Sequence, residues 1–251
     1  MNLVIDIGNT FAKAAVFDKN KLLDSLHERS TNYARFVRFA ERYSIDACAI
    51  SSVAAGTLNI DQWIETLHCP TLRVSGTTTL PFQNTYRTPL TLGSDRIAAV
   101  AGAQTLFPKK DLLIADLGTC LTLDVLTSAG QYLGGNISPG TSMRLQALHE
   151  GTARLPLISQ TGDKPLIGYD TATAIRSGVH LGIAIEIEGY LKRLQASMPE
   201  ITLVLTGGKS TTIRPAFSAE LNYAYEPHLV EIGLNTILNL NKNNLSTEAK
   251  V

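Results

Sequence analysis

LVIDIGNTFAKAAVFD, residues 3–18, carries an apolar run into Asp6, turns at Gly8-Asn9-Thr10 and returns along a second apolar run. The pattern reads as strand, glycine turn, strand. A buried strand does not end on a carboxylate without reason: the Asp either caps its turn or awaits a cation. Taken alone, an Asx-turn in a hairpin is the better account. LLIADLGTCLTLDVLT, residues 112–127, changes that balance, because Asp116 falls on Asp6 and Gly118 on Gly8, 110 positions further on. A repeat of that period is too long for a solenoid and points to two similar domains.

The remaining elements fit around these two hairpins. Residues 21–31 partly alternate and read as a third strand. Phe36, Phe39, Ala40 and Tyr43 are spaced helically within 32–44. A buried strand follows at 46–54, then a helix over 58–67 with Asn59 or Asp61 near its cap, a short strand at 71–76 and an Ala-rich helix at 95–107. The second half gives a strand at 131–135, a glycine loop at 134–140, helices at 142–149 and 171–195, a strand at 201–206 and a helix from about 228 to 240. Residues 241–251 are polar and are expected to fray. The expectation is an α/β protein of two domains, 1–108 and 109–251, with a cleft between them.

Composition excludes several classes. The chain has 251 residues, 44% hydrophobic and 18% charged, enough for a sizeable core. Lys+Arg and Asp+Glu both number 22, so nothing in the overall charge favours nucleic acid or an anionic membrane. Cys48, Cys69 and Cys120 are scattered without a CxxC pair, which argues against a disulfide framework or a zinc site. The first residues lack a basic signal-peptide region, and no apolar stretch approaches the roughly 20 residues of a membrane span. A cytoplasmic location is expected.

The motifs suggest anion chemistry. Turn amides with the Thr10 hydroxyl make an anion cradle, and Asp6 can hold Mg²⁺ directly or through water. Thr206-Gly207-Gly208 follows an apolar strand, where an adenosine could lie against the backbone; a plain turn is the simpler account. Gly93-Ser94-Asp95-Arg96 opens a helix, and a carboxylate in a first turn is favoured by the helix dipole. His68, His149, His180 and His228 have no neighbours at metal or nucleophile spacing, and Arg35, Arg38 and Arg42 read as a solvated helix face.

Asp6, Asp116 and the glycine turns together resemble the superfamily of acetate and sugar kinases, actin and heat-shock chaperones, in which two ribonuclease H-like domains close over ATP. Within it, DIGNTFAK at 6–13, GSDR at 93–96 with Tyr86 ahead of it, DLGT at 116–119, GGNISPG at 134–140 and the spaced Gly, Thr, Ala, Ser and Gly of 168–178 resemble type III pantothenate kinase, in the family's order and over all but the tail. The resemblance implies ATP-dependent phosphorylation of pantothenate, the first step toward coenzyme A. It implies that Asp6, Ile7, Gly8, Asn9, Thr10, Phe11, Ala12 and Lys13 form the ATP phosphate loop, with Asp6 organising Mg²⁺ and Lys13 near phosphate. It implies that Asp95 is the catalytic base, and that Tyr86, Gly93, Ser94, Asp95, Arg96 and Thr171 bind pantothenate, Arg96 through its carboxylate. Thr119 would touch ATP, and Asp116 would bind a monovalent cation, K⁺ or NH₄⁺. Family members are typically homodimers, and the apolar helix at 171–194 is a plausible interface element. A different small sugar or acid kinase, or a nucleotide-binding regulator without catalysis, are the competing readings.

Overall fold

The computed structural model describes residues 1–52, 62–64 and 66–248. The chain divides into two compact units. The first takes residues 1–109, 126–134 and 228–251; the second takes 110–125 and 135–227.

The first unit is built on strands β1 (Asn2–Ile7), β2 (Phe11–Asp18), β3 (Lys21–Arg29), β4 (Ala47–Ser52) and β5 (Thr71–Arg73), ordered β3-β2-β1-β4-β5. β1 pairs antiparallel with β2 and parallel with β4, which pairs parallel with β5. Leu3, Val4, Ile5 and Ile7 are all fully buried, so β1 is covered on both faces, as its unbroken apolar run requires. β3 alternates between exposed and half-buried positions, the mark of an edge strand. Helix α1 (Tyr33–Ala40) buries Phe36, Phe39 and Ala40. The two-residue strand β6 (Gln83–Asn84) and helix α2 (Ser94–Leu106) follow.

The second unit repeats the plan. Strands β7 (Leu112–Leu117), β8 (Cys120–Leu126), β9 (Gln131–Pro139), β10 (Thr202–Thr206) and β11 (Tyr223–Tyr225) lie in the order β9-β8-β7-β10-β11, the order of the first sheet over again. β10 is parallel to both β7 and β11. Helices α3 (Thr141–Glu150), α4 (Thr171–Leu194) and the short α5 (Ser210–Ile213) complete it. α4 starts on a capping box, Thr173 N–H donating to Asp170 Oδ1 at 2.7 Å and Asp170 N–H to Thr173 Oγ1 at 3.1 Å. β6 pairs with the start of β9 through Gln83–Gln131 and Asn84–Tyr132.

Three expectations need correction or completion. The final helix, α6 (Leu229–Glu248), does not end near 240, and its last turns do not fray from 241. Asn241 is buried and donates from Nδ2 to the Thr79 carbonyl at 2.9 Å, which holds that part of the helix down. α6 belongs to the first unit rather than continuing the second, so the units do not follow one cut at 108/109. It packs on α2 where two glycines meet: a Cβ on Gly102 would lie 2.0 Å from Leu229 O, and one on Gly233 would lie 1.8 Å from Ala98 O. Asn2 Nδ2 donates to Asn235 Oδ1 and Asn239 Oδ1 at 2.7 and 2.8 Å, tying β1 to the same helix. Residues 134–139 continue β9 instead of forming a loop, because Gly135 lets Leu123 O come within 1.8 Å of where a Cβ would stand. Asn59 and Asp61, expected near a helix cap, lie outside the described residues.

Candidate functional site

Asp6 is the penultimate residue of β1, and its Oδ1 is sealed from solvent with no hydrogen-bond partner among the described residues. Burial raises its carboxyl to about 7, with the negative charges of Glu231 and Asp95 adding to the effect; Lys13 and the Ser51 hydroxyl work against it. Lys13 stands directly across the β1–β2 ladder from Asp6, and Ser51 directly across β1–β4. Glu231, in the first turn of α6, is 1% exposed, and its Oε1 lies 3.4 Å from Lys13 Nζ and 4.0 Å from His228 Nδ1. Burial alone would raise the Glu231 carboxyl, yet His228 and Lys13 hold it below its usual value. Its Oε2 is buried without a hydrogen-bond partner among the described residues. The first unit therefore gathers three carboxylates against one lysine. Among the described residues no group of three or more His, Cys, Asp or Glu could by itself hold a metal ion.

The turn after β1 is tight. Gly8 N–H donates to Phe11 O at 3.0 Å, and Asn9, Thr10 and Phe11 are exposed beside it. Ile7 and Ala12 are core residues that anchor its two arms. Of the expected phosphate-loop residues, the exposed turn can meet a ligand, whereas Lys13 is committed to an ion pair.

Asp95 sits in the first turn of α2, where its Oδ1 accepts from Arg96 N–H at 2.8 Å. The residue before that helix has to be small: a Cβ on Gly93 would lie 2.5 Å from Asp95 Oδ1. Ser94 is buried, and its hydroxyl faces β4, 2.9 Å from Ser51 Oγ. Arg96 is buried too, with its guanidinium 5.7 Å from the centre of the Tyr86 ring and Nη2 donating to Tyr132 OH at 3.0 Å. Tyr132 packs on Phe82 and Tyr86, with ring centres 5.9 and 6.1 Å apart. Tyr86, Gly93, Asp95 and Arg96, expected together, thus share one neighbourhood in the first unit, joined by Tyr132.

In the second unit Asp116 ends β7 as Asp6 ends β1, and Thr206 is its partner across β10. The Thr206 hydroxyl is buried without a hydrogen-bond partner among the described residues. Gly207 follows with φ +89°, and a Cβ there would lie 2.3 Å from Asp116 Oδ1. Thr119 is exposed in the turn after β7. Thr171 is exposed at the first position of α4.

Glu231, Ser51 and Tyr132 escaped sequence reasoning. None lies in a glycine turn or a recognisable spacing, and Glu231 is 225 positions from Asp6. The register of β1 with β4 brings in Ser51, the packing of α6 brings in Glu231, and the pairing of β6 with β9 brings in Tyr132.

A family model for type III pantothenate kinase matches residues 2–193. The chain belongs to that family. Type III pantothenate kinase of Bacteroides fragilis is 42% identical over 241 residues, covering 96% of this chain and 98% of the relative. That of Christiangramia forsetii is 39% identical over 244 residues, covering 96% and 99%. Among solved structures, a Campylobacter jejuni protein provisionally described as a conserved Baf family transcriptional activator superposes with a TM-score of 0.62 at 22% identity, over 96% of this chain and 99% of that one. The activator of 2-hydroxyisocaproyl-CoA dehydratase from Clostridium difficile, with bound ADPNP, gives 0.56 at 12% identity, over 100% and 98%. At those identities the structures bear on the fold alone: two ribonuclease H-like domains, as the repeated strand order requires. Among the described residues no helix is long and apolar enough to cross a membrane.

Proposed function

We propose that this member of the family phosphorylates pantothenate with ATP to give 4′-phosphopantothenate, with Asp95 as the catalytic base. The observation that carries the assignment is the charge coupling of Asp95 to Asp6 within one unit, beside the Arg96–Tyr86–Tyr132 cluster. Asp95 accepts the proton of the substrate's primary hydroxyl. The hydroxyl oxygen forms a bond to the γ-phosphorus, the bond from that phosphorus to the bridging oxygen breaks, and ADP leaves. Arg96 receives the pantothenate carboxylate through two parallel N–H bonds. Tyr86 and Gly93 line the same substrate. The turn of residues 6–13 contacts ATP.

Kinases of this family work with ATP and a divalent metal. The residues fit one: Asp6 Oδ1 is buried without a hydrogen-bond partner among the described residues, and the charges of Glu231 and Asp95 act on it. Asp6 would hold Mg²⁺, through water or together with phosphate oxygens, since no cluster of three ligands surrounds it. When bound, the ion neutralises charge on the transferring phosphate. For Asp116 the resemblance to the family supports a monovalent cation: Gly207, at φ +89°, brings the backbone close to its Oδ1, and the Thr206 hydroxyl across the ladder has no hydrogen-bond partner among the described residues. A cytoplasmic homodimer completes the reading; α4 supports it by exposing Ile185 and Tyr190.

ADP release measured with pantothenate, with sugars and with neither tests the assignment. Release that requires pantothenate and rises with K⁺ is expected. Release driven equally by a sugar would replace the substrate, and no release at all would leave a nucleotide-binding regulator.

A further inference from the structure

Ser51 is fully buried on β4, faces Asp6 across the ladder, and its hydroxyl bonds toward that carboxylate. Its Oγ is 2.9 Å from Ser94 Oγ. Ser94 Oγ accepts from Ser52 N–H at 3.2 Å; the Ser52 carbonyl, at 3.5 Å, is at the limit of a hydrogen bond.

Proton bookkeeping gives this row a direction. A hydroxyl has one proton to donate, an amide N–H can only donate, and a carboxylate can only accept. With Asp6 ionised, Ser51 gives its proton to Asp6, so Ser94, which accepts from Ser52 N–H, gives its own to Ser51. Every donor is then used once. Ser94 retains no proton for a ligand, although it sits within the substrate motif.

Ser94 is the first residue of α2, next to Asp95 and Arg96. The row therefore runs from the aspartate of the phosphate turn to the helix end that carries the base. Inside a buried region such a network is rigid and cooperative. We propose that Ser51 and Ser94 are positioning residues, a directed relay that sets the separation of Asp6 from Asp95. The proposal rests on the phosphoryl-transfer reading above and extends it to two residues that need not touch substrate.

The experiment uses the full chain and reads ADP release at saturating ATP, Mg²⁺, K⁺ and pantothenate, for Ser51→Ala, Ser94→Ala, the double variant, Ser94→Thr and Ser94→Cys. Each alanine change should lower kcat about 10-fold, since small misplacements of reacting groups carry penalties of that order. The double variant should lose about the same factor as either single change, roughly 10-fold rather than 100-fold, because links of one relay are not additive. KM for ATP should stay within about twofold, and Ser94→Thr should recover most of the rate by restoring the hydroxyl. Unchanged kcat in a folded alanine variant, or losses that multiply, would overturn the proposal. If the alanine proteins do not fold, the Thr and Cys variants decide: a fast threonine and a slow cysteine enzyme support the relay, and equal rates refute it. A wild-type chain that releases no ADP would remove the reading and the relay together, an outcome unlike any of these.

Discussion

Asp6 and Asp116 end equivalent strands, and each faces a hydroxyl across a parallel ladder, Ser51 in one unit and Thr206 in the other. Beyond that point the two units part. Ser51 passes its hydrogen bond on to Ser94, whereas the Thr206 hydroxyl has no partner among the described residues. After Ser51 comes another serine; after Thr206 comes a glycine with positive φ. Lys13 stands opposite Asp6, and the residue 110 positions further on is Leu123, fully in the core. A last helix adds the charge of Glu231 to the first carboxylate. The duplicated hairpin is thus a mount for a carboxylate, and the neighbours decide its chemistry. Charged side chains around Asp6 suit a divalent ion and phosphate; around Asp116 the cross-strand neighbour is a neutral hydroxyl and the close backbone is a glycine.

The largest expected effect separates the units by activity. Asp95→Asn should lower kcat by about 10²- to 10⁴-fold, the range for loss of a general base, while calorimetry still shows ATP binding. Asp116→Asn should mainly remove the dependence on K⁺, with a smaller loss at saturating substrate. Equal losses in both, with K⁺ dependence intact, would erase the distinction.

A second contrast concerns stability. Glu231→Ala removes one of the carboxylates paired with a mostly buried lysine, and breaking a buried pair from one side costs about 3 kcal/mol or more. Some of that loss is returned, because Glu231 also repels Asp6. Urea unfolding should place the net loss near 3 kcal/mol, at the low end of that range. In the other unit the weak point is backbone. Gly207→Ala forces a Cβ to within 2.5 Å of Leu117 N at a positive φ, so a loss of about 2 kcal/mol is expected by the same measurement. If Gly207→Ala were neutral, the tight packing of that turn on Asp116 would not be what shapes the second site.

The parts legible in the sequence were those with local rules. Apolar runs and period-two patterns placed strands, period-3.6 spacing placed helices, and the match of Asp6 with Asp116 disclosed the duplication. Gly93 marked a helix start, but Asp95 and Arg96 stood out only through the resemblance of GSDR to the family's motif. Ser51 was not, since nothing in ACAISS separates a core serine from a relay; its meaning lies in the β1–β4 register. Glu231 reads as an ordinary first-turn acid until α6 is seen against β1. The extent of α6 was missed because a polar tail looks frayed unless one of its residues, here Asn241, has a buried partner.

The last effect isolates Asp6 by pH, in the protein without ATP or metal. Its carboxyl titrates near 3.8 when unfolded and near 7 when folded, so between those values the folded state binds one more proton. Stability from this group is then complete below about 3.8 and falls as pH rises toward 7, by up to about 1 kcal/mol per pH unit. His27 and His180, whose burial lowers their pKa, act in the opposite direction below 6.5, so the wild-type curve alone would blur the signal. Subtracting Asp6→Asn removes that background, because the histidines are common to both proteins. The two proteins should melt at similar temperatures near pH 4.5, and the asparagine variant should be a few degrees more stable at pH 8. Added Mg²⁺ should narrow that gap by favouring the ionised carboxylate. A gap that does not change with pH would mean that the charges gathered around Asp6 do not govern it, and the contrast with Asp116 would then rest on the hydroxyls alone.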